Sequence, residues 1–162
     1  YRGLDLLIDA WREMEVATLW LVGRPRMDIS GLVAAAPASV RFLTRYVDDR
    51  EIPAIFEHAD LCVLPYTEID QSGVLATALA FGKPMLLSDA GGFPEVAAAG
   101  AAECVPAGDV AALGSALASL VADEARLATL STGAQRLAAG EWSWQRAAER
   151  HLDLYSRLIA TG

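Results

Sequence analysis

The chain has 162 residues, of which 54% are apolar by a broad count and 21% are charged, and its formal charge at neutral pH is −8. This length and composition predict one globular domain with a core of its own, and they exclude a disordered or fibrous chain. The excess of acidic residues argues against nucleic-acid binding, because neutralising phosphates requires a basic surface.

No apolar run is long enough to cross a bilayer, and the start of the sequence lacks the features of a signal peptide. We therefore expect a cytoplasmic protein. Cys62 and Cys104 fall in apolar runs without metal or redox spacing, so we expect both to be small buried core residues. His58 and His151 also lack partners at metal-ligand spacing. The sequence predicts neither a metal site nor a cofactor.

Helix-like and strand-like patterns alternate through the first two thirds of the chain. A helical pattern around Leu6 precedes the run ATLWLVG, which Gly23 closes. VRFLTRYV and DLCVLPY indicate strands, with a helix in DREIPAIFEHA between them. SGVLATALAF then predicts a helix, PMLLS a buried strand and AAECVPAG a last short strand. Nearly continuous apolar strands between helices are typical of a parallel sheet covered on both faces, so we predict a doubly wound α/β fold.

The chain from Asp109 onward has helical periodicity alone. Three apolar stripes follow one another, and the third, from Trp144 to Ile159, is the most regular. Ser143 is placed to cap this last helix, and Trp144 is expected to pack through the stripe. We predict a helical C-terminal tail and, in the absence of a linker or repeat, a single domain over residues 1–162.

Two glycine-containing turns follow predicted strands at the end where parallel sheets bind ligands. In YTEIDQSGV, Ser72 is placed to cap a helix and Gly73 lets a ligand approach the backbone. In DAGGFPE, Gly91 and Gly92 allow an open turn before another helix. Either turn alone is ordinary turn chemistry. Together they predict two adjacent walls of one anion-binding crevice.

A series of short motifs in a fixed order is more informative than any one of them. The series is RGLDLLIDAW, LWLVG, VLPYTE, ALAFGKPMLLSDAGGFPEV, VPAGDVAAL and EWSWQRAAERHLDLYSRL. It resembles the donor-binding C-terminal domain of family 4 retaining glycosyltransferases, the glycosyl transferases group 1, whose GT-B fold has two Rossmann-like domains. The resemblance covers essentially the whole chain. It implies a Rossmann-like nucleotide-sugar-binding domain, together with a missing N-terminal domain that binds the acceptor.

The resemblance also implies roles for individual residues. Arg2, just before the first helix, is expected to contact the donor diphosphate. The other residues of the implied donor site are Gly23, Ser72, Gly73, Val74, Thr77, Gly91 and Gly92. Arg24, Arg26 and Arg45 follow strands at the same edge, so one of them is a further candidate to face the nucleotide.

The pair of glutamates typical of the family is out of register in this chain. The second position falls on Thr77, which offers the ribose one hydroxyl in place of a carboxylate. The first falls on Ile69, between Glu68 and Asp70. No catalytic residue is assigned, and Glu68 and Asp70 are the candidates.

The leading interpretation is the donor-binding part of an enzyme that transfers a hexose, with retention, from a nucleotide-diphosphate sugar to a glycan, lipid or small acceptor. A sugar-nucleotide epimerase of the same fold and a non-catalytic binding or scaffold domain are the alternatives. We expect the isolated chain to be inactive, because donor and acceptor meet between two domains. The uncovered stripe of the last helix is expected to favour self-association.

Overall fold

The computed structural model describes residues 2–69 and 71–160, in which strands and helices alternate up to residue 105. The strands are β1 (Leu19–Val22), β2 (Val40–Leu43), β3 (Cys62–Leu64), β4 (Met85–Ser88) and β5 (Ala102–Val105). The helices are α1 (Leu4–Ala10), α2 (Ser30–Ala35), α3 (Ile52–His58), α4 (Gly73–Ala80), α5 (Phe93–Ala98), α6 (Val110–Val121), α7 (Glu124–Ala139) and α8 (Trp144–Ala160). This order confirms the predicted alternation and the helical C-terminal tail.

The strand pairs of the described residues are all parallel, as predicted. β1 pairs with β2, while β3, β4 and β5 pair in that order in a three-stranded sheet. The sequence pattern suggested a single sheet, whereas the structure divides the strands between two. No described strand is hydrogen-bonded to the second edge of β1 or of β3.

β4 is buried between two apolar clusters, because successive side chains of a strand point to opposite faces. Met85 and Leu87 belong to the first cluster, which also contains buried residues of α4, α5 and α7. Leu86 belongs to the second cluster, which is built with α1 and α6. All four residues of β4 are buried, so helices cover it on both faces. This is the predicted doubly wound arrangement.

The second cluster extends across both sheets. Leu19 of β1 and Val40 of β2 share it with Leu86 of β4. Trp11, directly after α1, lies in the same cluster, and its indole N–H donates to the hydroxyl of Ser39 at 3.1 Å. Helix α1 also packs directly against α6. One helical layer therefore covers the two sheets on this face.

Helix α2 is an element that the sequence pattern did not predict. Its start is fixed by Asp28, whose carboxylate accepts the N–H of Ser30 at 2.9 Å and its hydroxyl at 3.0 Å. No residue of α2 is buried. With six residues, the helix is too short to show the apolar stripe from which longer helices were predicted.

The two cysteines are less buried than the sequence suggested. Cys62 is half-buried, and burial raises the pKa of its thiol to about 12. Cys104 is exposed, so its assignment to the core was wrong. The reason is that β5, which carries Cys104, pairs only with β4 in the described residues and so lies at an edge of its sheet.

Helix α8 presents a regular apolar stripe that no described element buries. It is capped as predicted, since the hydroxyl of Ser143 accepts the N–H of Arg146 at 3.2 Å. The packing role expected of Trp144 was wrong, because α6 and α7 cover the sheets without it and its side chain is 92% exposed. Among the described residues, no helix combines the length and apolarity of a membrane span. The large exposed apolar side chains of α8 are Trp144, Leu152, Leu154, Tyr155, Leu158 and Ile159.

Candidate functional site

The two glycine turns lie together at the carboxyl edge of the three-stranded sheet. The first follows β3 and the second follows β4, which are parallel neighbours. Gly91 has a φ of +53°, and a Cβ at this position would stand 2.5 Å from the carbonyl oxygen of Ile69. Since that oxygen belongs to the first turn, the two turns are in direct contact. The predicted adjacent walls are thus brought together.

The first wall of the crevice is the turn after β3, and it ends at the N-terminus of α4. The hydroxyl of Ser72 accepts the N–H of Leu75 at 3.2 Å, which is the predicted helix cap. Gly73 is the first residue of the helix, and no atom beyond its chain neighbours and the nearby backbone of its own helix lies within 4 Å of where a Cβ would stand. Val74, which follows, is 37% exposed. An open helix N-terminus presents backbone N–H groups and a partial positive charge to an anion.

The second wall is the turn between β4 and α5. Gly92 precedes α5 and has open space where a Cβ would stand. Asp89, at the start of the turn, accepts the N–H of Ala107 at 2.7 Å and so ties the turn to the segment after β5. The turn is therefore anchored on one side by the loop carrying Ile69 and on the other by the loop that leaves β5.

Arg2 lies beside the first wall. Its guanidinium carbon stands 5.8 Å from the ring centroid of Tyr66, a distance that permits a cation–π interaction. Tyr66 is buried and packs on Phe93, with ring centroids 5.7 Å apart. Sequence reasoning did not identify Tyr66 as part of the site. Its position directly after a buried strand and Pro65 was the available signal.

A second part of the crevice is an open cleft of about 910 Å³ next to Arg2. Gly23 ends β1 with a φ of +137° and turns the chain into the loop that forms the cleft. Hydrogen bonds from the backbone and then the hydroxyl of Ser30 hold the pKa of Asp28 below its usual value, so this carboxyl is ionised at neutral pH. The lining residues are Arg2, Arg24, Pro25, Arg26, Met27, Asp28 and Tyr46. With three guanidinium groups and one carboxylate, the cleft attracts anions.

Of the three arginines that follow strands, Arg24 and Arg26 line this cleft, whereas Arg45 pairs with Glu51. Arg45 donates to both carboxylate oxygens of Glu51, at 2.8 and 2.5 Å. The hydrogen bonds from Arg45, together with one from the backbone N–H of Asp48, lower the pKa of Glu51 to about 2. Arg24 and Arg26, in contrast, face the cleft. Their position makes them the better candidates to face a nucleotide.

The two positions where the family usually has glutamates fall on Thr77 and Ile69, so they provide no pair of carboxylates in this chain. Thr77 is half-buried, and its hydroxyl donates to the carbonyl oxygen of Gly73 at 2.8 Å, one turn earlier in α4. Glu68 is exposed in the loop between β3 and α4. Asp70, the other catalytic candidate, lies outside the described residues. Of the two candidate carboxylates, the structure thus places Glu68 at the carboxyl edge.

The geometry defines an α/β domain with a crevice at the carboxyl edge of its parallel strands. Glycine turns, an open helix N-terminus and arginines at such an edge are the usual elements of a nucleotide site. Comparison with known families agrees, because the sequence model of the family described as "Glycosyl transferases group 1" matches residues 1–123. The chain belongs to the group 1 glycosyltransferases.

Individual relatives share both sequence and fold with this chain. The phosphatidyl-myo-inositol mannosyltransferase of Mycobacterium leprae is 31% identical in an alignment 173 residues long, which covers 99% of this chain and 44% of the relative. Sucrose-phosphate synthase from Thermosynechococcus elongatus superposes with a TM-score of 0.85 at 25% identity, covering 99% of this chain and 43% of that one. The chain thus spans less than half the length of these proteins.

A third comparison supports the fold alone. The Anabaena protein Alr3699/HepE, solved in complex with UDP-glucose, superposes with a TM-score of 0.83 at 22% identity. The superposition covers 97% of this chain and 46% of the Anabaena protein. The Rossmann-like fold of the GT-B glycosyltransferases is therefore common to this chain and its structural neighbours.

Proposed function

We propose that this chain binds a nucleotide-diphosphate sugar in the crevice and is the donor-binding part of a retaining hexosyltransferase. The observation that carries the proposal is the open N-terminus of α4 at Gly73, in contact through its loop with the Gly91 turn and flanked by Arg2. Backbone N–H groups at a helix N-terminus and a guanidinium group are both suited to a diphosphate.

In this proposal the crevice is divided between the parts of the donor. The diphosphate lies at the N–H groups of Gly73 and Val74 and is contacted by Arg2. The nucleoside lies toward Gly23 and the cleft lined by Arg24. The sugar lies along the other residues of the two turns, which are Ser72, Thr77, Gly91 and Gly92.

The names of similar proteins support a glycosyl donor and a range of acceptors. The mycobacterial relative is a mannosyltransferase whose name includes a phosphatidylinositol acceptor. The Anabaena neighbour was solved with UDP-glucose. For this chain we propose a hexose donor and leave the acceptor as a glycan, lipid or small molecule. We also propose action in the cytoplasm, where thiols such as the free Cys62 and Cys104 stay reduced.

The chemistry requires stabilisation of a leaving group. As the bond to the sugar breaks, negative charge grows on the diphosphate, and preorganised N–H groups with Arg2 lower the energy of that state. We propose that no metal or other cofactor takes part. Glu68 and Asp70 are the proposed carboxylates near the transferred sugar.

One observation favours a second candidate, a binding domain that lacks turnover. The hydroxyl of Thr77 is committed to the carbonyl oxygen of Gly73, at the position where the family usually has a carboxylate. A domain with this substitution would bind a nucleotide diphosphate and yet support no transfer. Product analysis of the full-length protein separates the two functions, and it also detects epimerised sugar nucleotide, the product of an epimerase of the same fold.

The first test is calorimetric titration of the chain with GDP and UDP. Arg2→Ala is expected to weaken binding of the preferred nucleotide by about 1–3 kcal/mol, the usual range for a hydrogen bond to a charged group. Arg12→Ala is the matched control, because Arg12 lies on the segment after α1 and pairs with Asp9 at 2.9 Å. Failure of the unmodified chain to bind either nucleotide would contradict the proposed function.

The isolated chain is expected to form no glycosylated product even when it binds donor. Transfer requires an acceptor site and closure of a cleft that excludes water, and both depend on a second domain. The measurement incubates the chain with a panel of nucleotide sugars and acceptors beside the full-length protein. Product formed at comparable rates in both samples would show that the acceptor site lies within this chain.

We propose that the apolar stripe of α8 mediates self-association of the isolated chain. Leu158 and Ile159 are 62% and 81% exposed, and burying such a stripe against a second copy removes apolar surface from water. Sedimentation at rising concentration is expected to show a dimer that Leu158→Glu abolishes. Val33→Glu is the control, since Val33 is also exposed but lies on α2. Equal sedimentation of all three proteins at every concentration would rule this role out.

A further inference from the structure

Among the described residues that line the cleft next to Arg2, only Asp28 carries a carboxylate. Asp28 lies on the same loop after β1 as Arg24 and Arg26. A carboxylate repels a phosphate group, because both carry negative charge. The part of the cleft around Asp28 is therefore suited to a neutral group that donates hydrogen bonds.

Asp28 is held in place at the cleft by Ser30. One carboxylate oxygen accepts the backbone N–H of Ser30 and the other accepts its hydroxyl. Each oxygen of an ionised carboxylate can accept two hydrogen bonds, so each keeps one acceptor position for a ligand. Asp28 is also exposed. It therefore presents two neighbouring acceptors to the cleft in a fixed orientation.

Tyr46 supplies the same cleft with an aromatic ring on a braced loop. The residue is 68% exposed. Its backbone carbonyl oxygen accepts a hydrogen bond from the guanidinium of Arg45 at 3.0 Å. Arg45 in turn pairs with Glu51, which also accepts the backbone N–H of Asp48. An exposed ring on a loop held in this way is a stacking surface for a planar base.

The nucleobases differ in the edge that they would show to Asp28. Guanine has two adjacent donors, N1–H and the 2-amino group, which match the two oxygens of a carboxylate. Uracil has one N–H between two carbonyl oxygens, and adenine has an acceptor nitrogen beside its amino group, so either would place an acceptor against Asp28. The other edge of guanine, O6 and N7, accepts hydrogen bonds from a guanidinium group. A cleft with one carboxylate and several arginines therefore complements guanine on both edges.

We propose that the carboxylate of Asp28, beside the ring of Tyr46 and the arginines of its own loop, selects guanine as the base of the donor nucleotide. The inference rests on the proposed function, since it names the base of the nucleotide that the crevice binds. In this arrangement the base stacks on Tyr46, and its N1–H and 2-amino group donate to Asp28. A guanidinium of the loop, from Arg24 or Arg26, donates to O6. Arg45 acts as a positioning residue for the ring.

The test is calorimetric titration of the chain with GDP, IDP, XDP and UDP. IDP lacks the 2-amino group, and XDP has a carbonyl oxygen in its place. The unmodified chain is expected to bind GDP about tenfold or more tightly than the other three, the discrimination typical of one paired contact to a base. Asp28→Asn keeps one acceptor oxygen and replaces the other by an amide donor. This variant is expected to lose the preference for GDP and to bind XDP about tenfold more tightly than the unmodified chain does.

Asp123→Asn is the matched control, because Asp123 also accepts a backbone N–H at the start of a helix, that of Arg126 at 2.9 Å, and does not line the cleft. It is expected to leave all four affinities unchanged, and thermal unfolding checks that both variants fold. If Asp28→Asn does not fold, the comparison of GDP with IDP in the unmodified chain decides. Binding without a preference for GDP, or the same preference in a folded Asp28→Asn chain, would overturn this inference and leave the proposed function standing. Binding of none of the four nucleotides would contradict both.

Discussion

Replacement of Gly133 by alanine is expected to lower the free energy of unfolding by about 2–4 kcal/mol, although alanine is the better helix former. Gly133 lies in α7, where a Cβ would collide with the carbonyl oxygen of Gly100 and stand 3.1 Å from the amide nitrogen of Ala101. These atoms belong to the backbone turn between α5 and β5, which moves less readily than a side chain. The added methyl group must therefore push α7 away from the sheet.

Urea unfolding followed by circular dichroism measures this effect. The control is Gly31→Ala in α2, where nothing lies within 4 Å of the new methyl group. That change is expected to stabilise the chain by about 0.5–1 kcal/mol through helix propensity. A Gly133→Ala chain as stable as the unmodified one would mean that α7 does not pack on the Gly100 turn.

Replacement of Gly73 by valine is expected to abolish detectable binding of nucleotide diphosphates while leaving the fold intact. The space around Gly73 is open, since a Cβ there would meet no atom beyond its chain neighbours and the backbone of its own helix, but a valine side chain would occupy the position from which a diphosphate would reach the N-terminus of α4. We expect affinity to fall at least a hundredfold, about 3 kcal/mol. The loss would arise from exclusion of the ligand and not from unfolding.

Calorimetry with GDP and UDP measures the affinity, and thermal unfolding shows whether stability is retained. Gly31→Val is the matched control, because Gly31 is also an open glycine in the first turn of a helix. Unchanged affinity in the Gly73→Val chain would place the diphosphate elsewhere, even if the chain binds nucleotides.

The elements that the sequence predicted correctly are those with a clear apolar pattern, which include the buried strand β4 and the uncovered helix α8. The strand at Met85–Ser88 has three consecutive apolar residues before its serine because both of its faces are covered, and this pattern can be read without knowing the fold. Helix α2 was missed because its six residues are too few to show an apolar stripe. The exposure of Cys104 was also missed, since a strand at the edge of a sheet has the same local sequence pattern as a central one.

The backbone of the candidate site was easier to predict than its side chains. Glycines and a capping serine mark turns at fixed places, so the adjacency of the two turns that contain Gly73 and Gly91 followed from parallel neighbouring strands. The partners of long side chains depend on contacts between distant residues. Nothing local indicates that Arg45 is held by Glu51 or that Thr77 bonds back to Gly73.

The arginine-lined cleft has a kinetic consequence because it lies on a chain with a formal charge of −8. The body of the protein repels anions over roughly a Debye length, about 8 Å at physiological ionic strength, while Arg2, Arg24 and Arg26 attract them at one place. Encounters with an anionic ligand are therefore concentrated at the cleft. Added salt would screen both effects, so it would alter the association rate constant more than the dissociation rate constant.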